Sequence, residues 1–71
     1  MQYLVVIEQG PATFGASVPD LPGCIAVAES REEAIDLIRE AIELHVEAML
    51  QDGRSIPQPH FSGELVEISA S

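Results

Sequence analysis

Alternating hydrophobic and polar positions in the first third of the chain predict three β-strands. Residues 2–8 are rich in β-branched side chains and apolar on both faces, which is typical of an inner strand. After a Gly-Pro turn signal, residues 12–18 place an apolar side chain at every second position, so a β-hairpin is expected. Two prolines within residues 19–23 must interrupt the ladder, since proline has no backbone N–H. Residues 24–28 then form a third short strand.

Helical periodicity follows these strands. Ser30 and Glu33 form the S-x-x-E capping box, which predicts that a helix starts there. The helix should run to about Asp52 and end at Gly53, because glycine tolerates the left-handed conformation that follows many helices. Its apolar side spans roughly 200°, wider than the ~100° that one packing face needs. That side is formed by Ala34, Ile35, Leu37, Ile38, Ala41, Ile42, Leu44, Val46, Ala48 and Met49.

The last part of the chain predicts one further strand. Residues 54–59 contain two prolines and should be extended, and residues 63–68 have the pattern of a fourth, edge strand. The expected order is therefore β-β-β-α-β. This is an α+β fold in which an antiparallel sheet of three to four strands packs one face against one long helix. Seventy-one residues allow a single domain, residues 1–71.

Charge narrows the range of partners. Twelve acidic residues, three arginines and no lysine give a net charge of −9, which repels nucleic acid and favours a basic partner or simply solubility. The single cysteine cannot form an internal disulfide, and no apolar stretch resembles a signal peptide or a membrane span. We therefore expect a cytoplasmic protein that has no cofactor and binds neither nucleic acid nor membrane directly.

Three residues have side chains suited to catalysis or ligand binding. His45 lies near the middle of the apolar side of the helix with no acid or cysteine at matching phase. We therefore interpret it as a packed core or interface histidine rather than a catalytic base or ligand. Cys24 has acidic and apolar surroundings, which favour a buried thiol over a nucleophile. His60 should be exposed between its neighbouring proline and phenylalanine. The sequence predicts no enzyme and no metal site.

The helix also carries a line of acids on its predicted solvent face, formed by Asp36, Glu40, Glu43 and Glu47. Like charges spaced i,i+4 each cost on the order of a few tenths of a kcal/mol, and acids near the C-terminal end oppose the helix dipole. Local stability therefore does not explain the pattern. The acids lie along one face instead of converging from separate elements, as two-metal catalysis requires. Two interpretations remain open: a solvated face, or a docking surface for a basic partner.

The hexapeptide at residues 19–24, Pro-Asp-Leu-Pro-Gly-Cys, resembles the HicB-like antitoxin domain. Other segments match the same pattern in order: Tyr3–Glu8, Ser30–Ala34, Glu40–Glu43 and Ile56–Pro59. The resemblance covers about residues 2–60. It implies a three- or four-stranded sheet with one main helix.

The resemblance also implies a function. Members of this family typically neutralise HicA, a small basic toxin that cleaves messenger RNA. We therefore expect an antitoxin that binds a basic HicA-like toxin and masks its RNA-binding surface. Many members also carry a C-terminal DNA-binding segment, but about ten residues follow Pro59, too few for such a unit. The alternative is an orphan homo-oligomeric binding module with no toxin partner and an unknown ligand.

We place the partner contacts on the loop before the third strand and on the acids of the helix. The prolines would hold the loop in a pre-ordered shape, and complementary charge would speed encounter. The residues are Asp20, Leu21, Pro22, Asp36, Glu40, Glu43 and Glu47. We also expect self-association into a dimer, or a tetramer of dimers. In so short a chain, the free energy gained by burying apolar surface nearly equals the conformational entropy cost of folding. The apolar side of the helix is also wider than one packing face needs.

Overall fold

The computed structural model describes residues 1–70, which form three β-strands followed by an α-helix. Their bounds are β1 Val6–Gln9, β2 Phe14–Ser17, β3 Ile25–Ala28 and α1 Arg31–Gln51. β2 pairs antiparallel with both β1 and β3, so β1 and β3 are the two edges of the sheet. Helix α1 packs on β2 and β3. The predicted α+β class, an antiparallel sheet with a long helix on one face, is confirmed.

Both ends of α1 have the predicted local structure. The Ser30 hydroxyl accepts a hydrogen bond from the Glu33 N–H at 3.1 Å, while the backbone of Ser30 is extended. At the other end Gly53 has φ +70°, and the N–H of Arg54 donates to the carbonyl of Met49 at 2.9 Å. This is the Schellman arrangement, which satisfies carbonyls at the helix end and requires a residue that accepts positive φ.

The first strand is shorter than predicted and lies at an edge, so its interpretation as an inner strand is wrong. The register pairs Val6 with Ser17, which would set residues 2–5 opposite residues 18–21. The chain turns away at that point, where the N–H of Leu21 donates to the carbonyl of Val18 at 3.0 Å. Because the ladder partner is lost, the strand begins only at Val6.

Residues 63–68, the predicted fourth strand, have no strand partner in the structure. They are exposed throughout, and Leu65 is 100% exposed. The observed sheet therefore has three strands, the smaller of the two predicted numbers. Alternating side chains give this segment the pattern of a strand, but the pattern does not by itself supply a partner for its backbone hydrogen bonds.

The core lies between α1 and the facing side of the sheet. Its buried residues are Ala16, Val18, Leu21, Cys24, Ala28, Ala34 and Ile38. Helix α1 is about 31 Å long, whereas a four-residue strand spans about 13 Å, so the helix extends beyond the sheet. Residues 1–5 pack beside this extension, but Leu44 and Leu50 remain exposed. Within residues 1–70 no helix combines the length and apolar character needed to cross a membrane.

Candidate protein-interaction site

The loop between β2 and β3 is held from inside by a buried carboxylate. The side chain of Asp20 has no exposed surface and accepts hydrogen bonds from the backbone N–H groups of His60 and Phe61, both at 3.2 Å. Its Oδ1 also lies 2.6 Å from the Nδ1 of His60, whose imidazole is 75% exposed. A buried carboxylate is expensive unless hydrogen bonds replace its water. Asp20 thus ties the loop to residues 54–63, which we call the connector.

The three predicted contact residues of this loop differ in accessibility. Leu21 is 1% exposed and belongs to the core, and Asp20 faces the connector, whereas Pro22 is on the surface. Of these three side chains, the structure exposes that of Pro22 and buries the other two. Asp20 and Leu21 shape the loop from within, and direct contact from solvent is open to Pro22.

A second tie holds the connector at the other end. The hydroxyl of Tyr3 donates a hydrogen bond to the carbonyl of Pro57 at 2.6 Å. Burial, and after it the negative charge of Asp20, raise the pKa of the Tyr3 hydroxyl. The phenol therefore remains protonated at neutral pH and keeps its role as a donor.

The four predicted helix acids, which we call the acidic ribbon, are all exposed. They are Asp36, Glu40, Glu43 and Glu47. Among residues 1–70 one ion pair involves them, an exposed contact of 3.8 Å between Arg39 and Asp36. The last turn of α1 contains no basic residue. The outer face of the helix is therefore strongly negative, with most of its carboxylates available to an external cation.

An open groove of about 710 Å³ runs between residues 1–5, helix α1 and the end of the connector. Ile35 and Ile42 contribute apolar surface, and the charged side chains of Arg39 and Glu43 line the same groove. Such a site can accept an apolar side chain next to a polar one. Sequence patterns did not indicate it because it depends on where two segments distant in the chain lie against the helix.

The surroundings of the residues considered for catalysis favour structural roles. The prediction that Cys24 is a buried thiol is confirmed, and burial raises the pKa of that thiol, which disfavours the reactive thiolate. His45 is half-buried on α1, and His60 is exposed as expected. The contact of His60 with Asp20 was missed, since no local pattern links residues so far apart. Within residues 1–70 no group of three or more metal-ligating side chains comes together.

Comparisons with known proteins identify a family and several relatives of this chain. The chain matches the family model described as HicB_like antitoxin of bacterial toxin-antitoxin system over residues 3–69. It is 32% identical to Antitoxin HicB 2 of Photorhabdus laumondii, over 100% of this chain and 52% of that protein. An uncharacterized 14.9 kDa protein of Haemophilus phage HP1 is 38% identical over 82% of this chain and 44% of its own length.

The chain thus spans about half the length of these two curated relatives. A UPF0150 protein of Archaeoglobus fulgidus is 37% identical over 79% of this chain, and the match covers 86% of that relative. Since the family model covers almost every residue from the first strand to the exposed segment after the connector, the chain belongs to the HicB-like antitoxin family of bacterial toxin–antitoxin systems.

Proposed function

We propose that this chain neutralises a small basic HicA-like toxin by covering the toxin's RNA-binding surface. Membership of the family and similarity to Antitoxin HicB 2 support an antitoxin role, which is regulatory rather than enzymatic. The proposal places this activity in the cytoplasm, where the toxin would meet messenger RNA. The observation that carries it is the exposed acidic ribbon on α1.

The acidic ribbon suits the chemistry of an RNA-binding surface. A protein that binds RNA uses lysine and arginine to contact phosphates, so its binding surface is positively charged. From Asp36 to Glu47 the ribbon extends about 16 Å along the helix, which presents several carboxylates to such a surface. Complementary charge chiefly raises the association rate and makes it salt-dependent. In this proposal the ribbon draws the toxin in and then occupies the surface that RNA would use.

Shape complementarity would come from the neighbouring loop and groove. Pro22 is exposed on a loop whose conformation is fixed by the buried Asp20 and Leu21. The groove beside Ile42 offers apolar surface next to Glu43. A rigid loop binds with little ordering cost, so these elements would govern dissociation more than encounter.

Charge reversal tests the proposal. The variant Glu40→Lys/Glu43→Lys should slow association with a basic HicA-like toxin by tenfold or more and flatten its salt dependence. A matched control, Glu8→Lys/Glu29→Lys, changes the net charge by the same amount at exposed positions away from the ribbon. Kinetics measured by surface plasmon resonance at several salt concentrations should show a much smaller effect in the control.

Two outcomes contradict the proposal. Equal effects of the two variants would mean that overall charge, not the ribbon, determines encounter. Toxin that still cleaves RNA in the presence of saturating wild-type chain would exclude masking. If no HicA-like toxin binds, the alternative of a homo-oligomeric module without a toxin is favoured.

A further inference from the structure

Among residues 1–70, the outer edge of β3 has backbone groups without a hydrogen-bond partner. The N–H of Val18 donates to the carbonyl of Cys24 at 3.3 Å, in the same register that pairs β2 with β3. Opposite residues in an antiparallel pair alternate between hydrogen-bonded and non-hydrogen-bonded positions. Ala26 therefore bonds to β2, whereas Ile25 and Val27 direct their N–H and C=O groups away from it, towards the free edge.

This edge lacks the features that normally prevent pairing with another chain. Free edges are usually protected by charged side chains, prolines or bulges. Strand β3 has the sequence IAVA, and the exposed side chains of Ile25 and Val27 lie on the sheet face away from α1. The opposite edge, β1, carries the charged side chain of Glu8. An added strand is therefore better accommodated at β3.

Within residues 1–70, the same chain also contains a segment that has the sequence pattern of a strand but no strand partner. Residues 64–69, which we call the tail, have the composition of a strand, yet Leu65 is fully exposed and Val66 and Ile68 are mostly exposed. Just before the tail the chain is held against the body, where the backbone of Gly63 packs beside the side chain of Leu4. Three large apolar side chains on so short an exposed segment mark it as a contact surface.

We infer that the tail of one copy of this chain pairs with the β3 edge of a second copy. Each chain supplies one unprotected edge and one exposed segment with the pattern of a strand, so a twofold-symmetric exchange between two copies gives both a partner. Charge also favours this arrangement. The tail carries Glu64 and Glu67, which would oppose Glu8 on β1 but meet no charged side chain on β3. The tie from Asp20 to the connector fixes where the tail leaves the body.

Proline substitution at the two edges provides the test. Val27→Pro removes the N–H that faces the free edge and leaves the ladder with β2 intact, since edge strands accept proline there. Val27→Thr keeps both the N–H and the β-branched shape. Gln9→Pro removes the corresponding outward N–H of β1, by the same alternation. Val66→Asn/Ile68→Asn changes exposed tail residues, so it tests the contact without altering the core.

Light scattering coupled to size-exclusion chromatography, over a dilution series of the full chain, gives the readout. We expect the wild type to reach about twice the chain mass of 7.6 kDa at micromolar concentrations or above. Val27→Pro and the tail variant should each weaken the dimer by tenfold or more, whereas Val27→Thr and Gln9→Pro should change its dissociation constant by less than threefold.

A mass of 7.6 kDa at all concentrations would overturn the inference. So would a dimer that the tail variant leaves unchanged. If Val27→Pro fails to fold, as judged by circular dichroism, the effect of the tail variant on the dimer alone tests the inference. The experiment contains no toxin, so its result is independent of the proposed antitoxin function.

Discussion

The carboxylate of Asp20 and the imidazole of His60 are in contact across 40 positions of sequence, with 2.6 Å between Oδ1 and Nδ1. Asp20 belongs to the hexapeptide of residues 19–24, which resembles the HicB-like antitoxin domain. Its buried side chain supports the loop from within and does not form part of the loop's surface. The same carboxylate accepts the N–H groups that position the connector. One buried side chain thus fixes the conformation of the loop and the path of the chain after the helix.

Removing this carboxylate should destabilise the fold. Asp20→Ala leaves the backbone N–H groups of His60 and Phe61 without their acceptor, at a cost of about 1–3 kcal/mol. His60→Ala keeps those N–H groups bound to Asp20 and removes only the exposed imidazole, so its cost should be smaller. Denaturant unfolding of both variants separates the two contributions. An Asp20→Ala variant as stable as the wild type would contradict this account.

Leu21 should behave as a core residue and not as a docking residue. It is 1% exposed, so Leu21→Ala should lower the free energy of unfolding by about 2–5 kcal/mol through lost burial and the cavity that remains. Its neighbour Pro22 is exposed, and Pro22→Ala should change that free energy by about 1 kcal/mol or less. Thermal or chemical unfolding of the pair measures the contrast. Equal effects would show that the loop is less firmly packed than the structure indicates.

Local signals in the sequence were sufficient to predict most of the secondary structure. The capping interaction of Ser30 and the positive φ of Gly53 depend on residues a few positions apart, so a pattern can identify them. The length of β1 could not be predicted in the same way. It depends on whether the partner strand continues, and the turn at Leu21 ends that strand.

The interaction site was predictable only where it follows helical phase. The exposed acidic ribbon follows from a rotation of about 100° per residue along a single helix. The accessibility of the hexapeptide could not be predicted from its sequence, because proline and aspartate are common in exposed loops and in buried turns alike. Asp20 is buried only because a backbone 40 residues later supplies its donors. The groove beside Ile42 likewise depends on tertiary packing.

The single tyrosine should titrate above the pKa of an unfolded chain. Burial and the Asp20 carboxylate raise the pKa of the Tyr3 hydroxyl. The resulting stability is fully present below the unfolded-state pKa of about 10 and is lost as the pH rises through the folded-state pKa. Tyrosinate absorbance of native and denatured protein measures both values. The stability advantage over Tyr3→Phe should shrink above pH 10, and a native pKa equal to the denatured one would contradict this.

The single cysteine should react slowly with a thiol reagent. Cys24 is buried and its pKa is raised by that burial, so both access and thiolate fraction are reduced at neutral pH. Reaction with Ellman's reagent should be at least tenfold slower in the native state than in denaturant. Cys24→Ser/Ser69→Cys moves the thiol to an exposed position and should remove this difference. Native Cys24 that reacts as fast as this control would exclude a closed core.

If the loop contacts the toxin through Pro22, removing the proline ring should shorten the life of the complex. Pro22→Ala removes ring atoms that would be buried against the toxin, and a lost contact of about 1 kcal/mol corresponds to a dissociation rate about fivefold faster. The salt dependence of association should not change, because no charge is altered. Pro11→Ala, in the exposed turn between β1 and β2, is the matched control and should leave the kinetics unchanged. An equal effect at Pro11 would remove Pro22 from the interface.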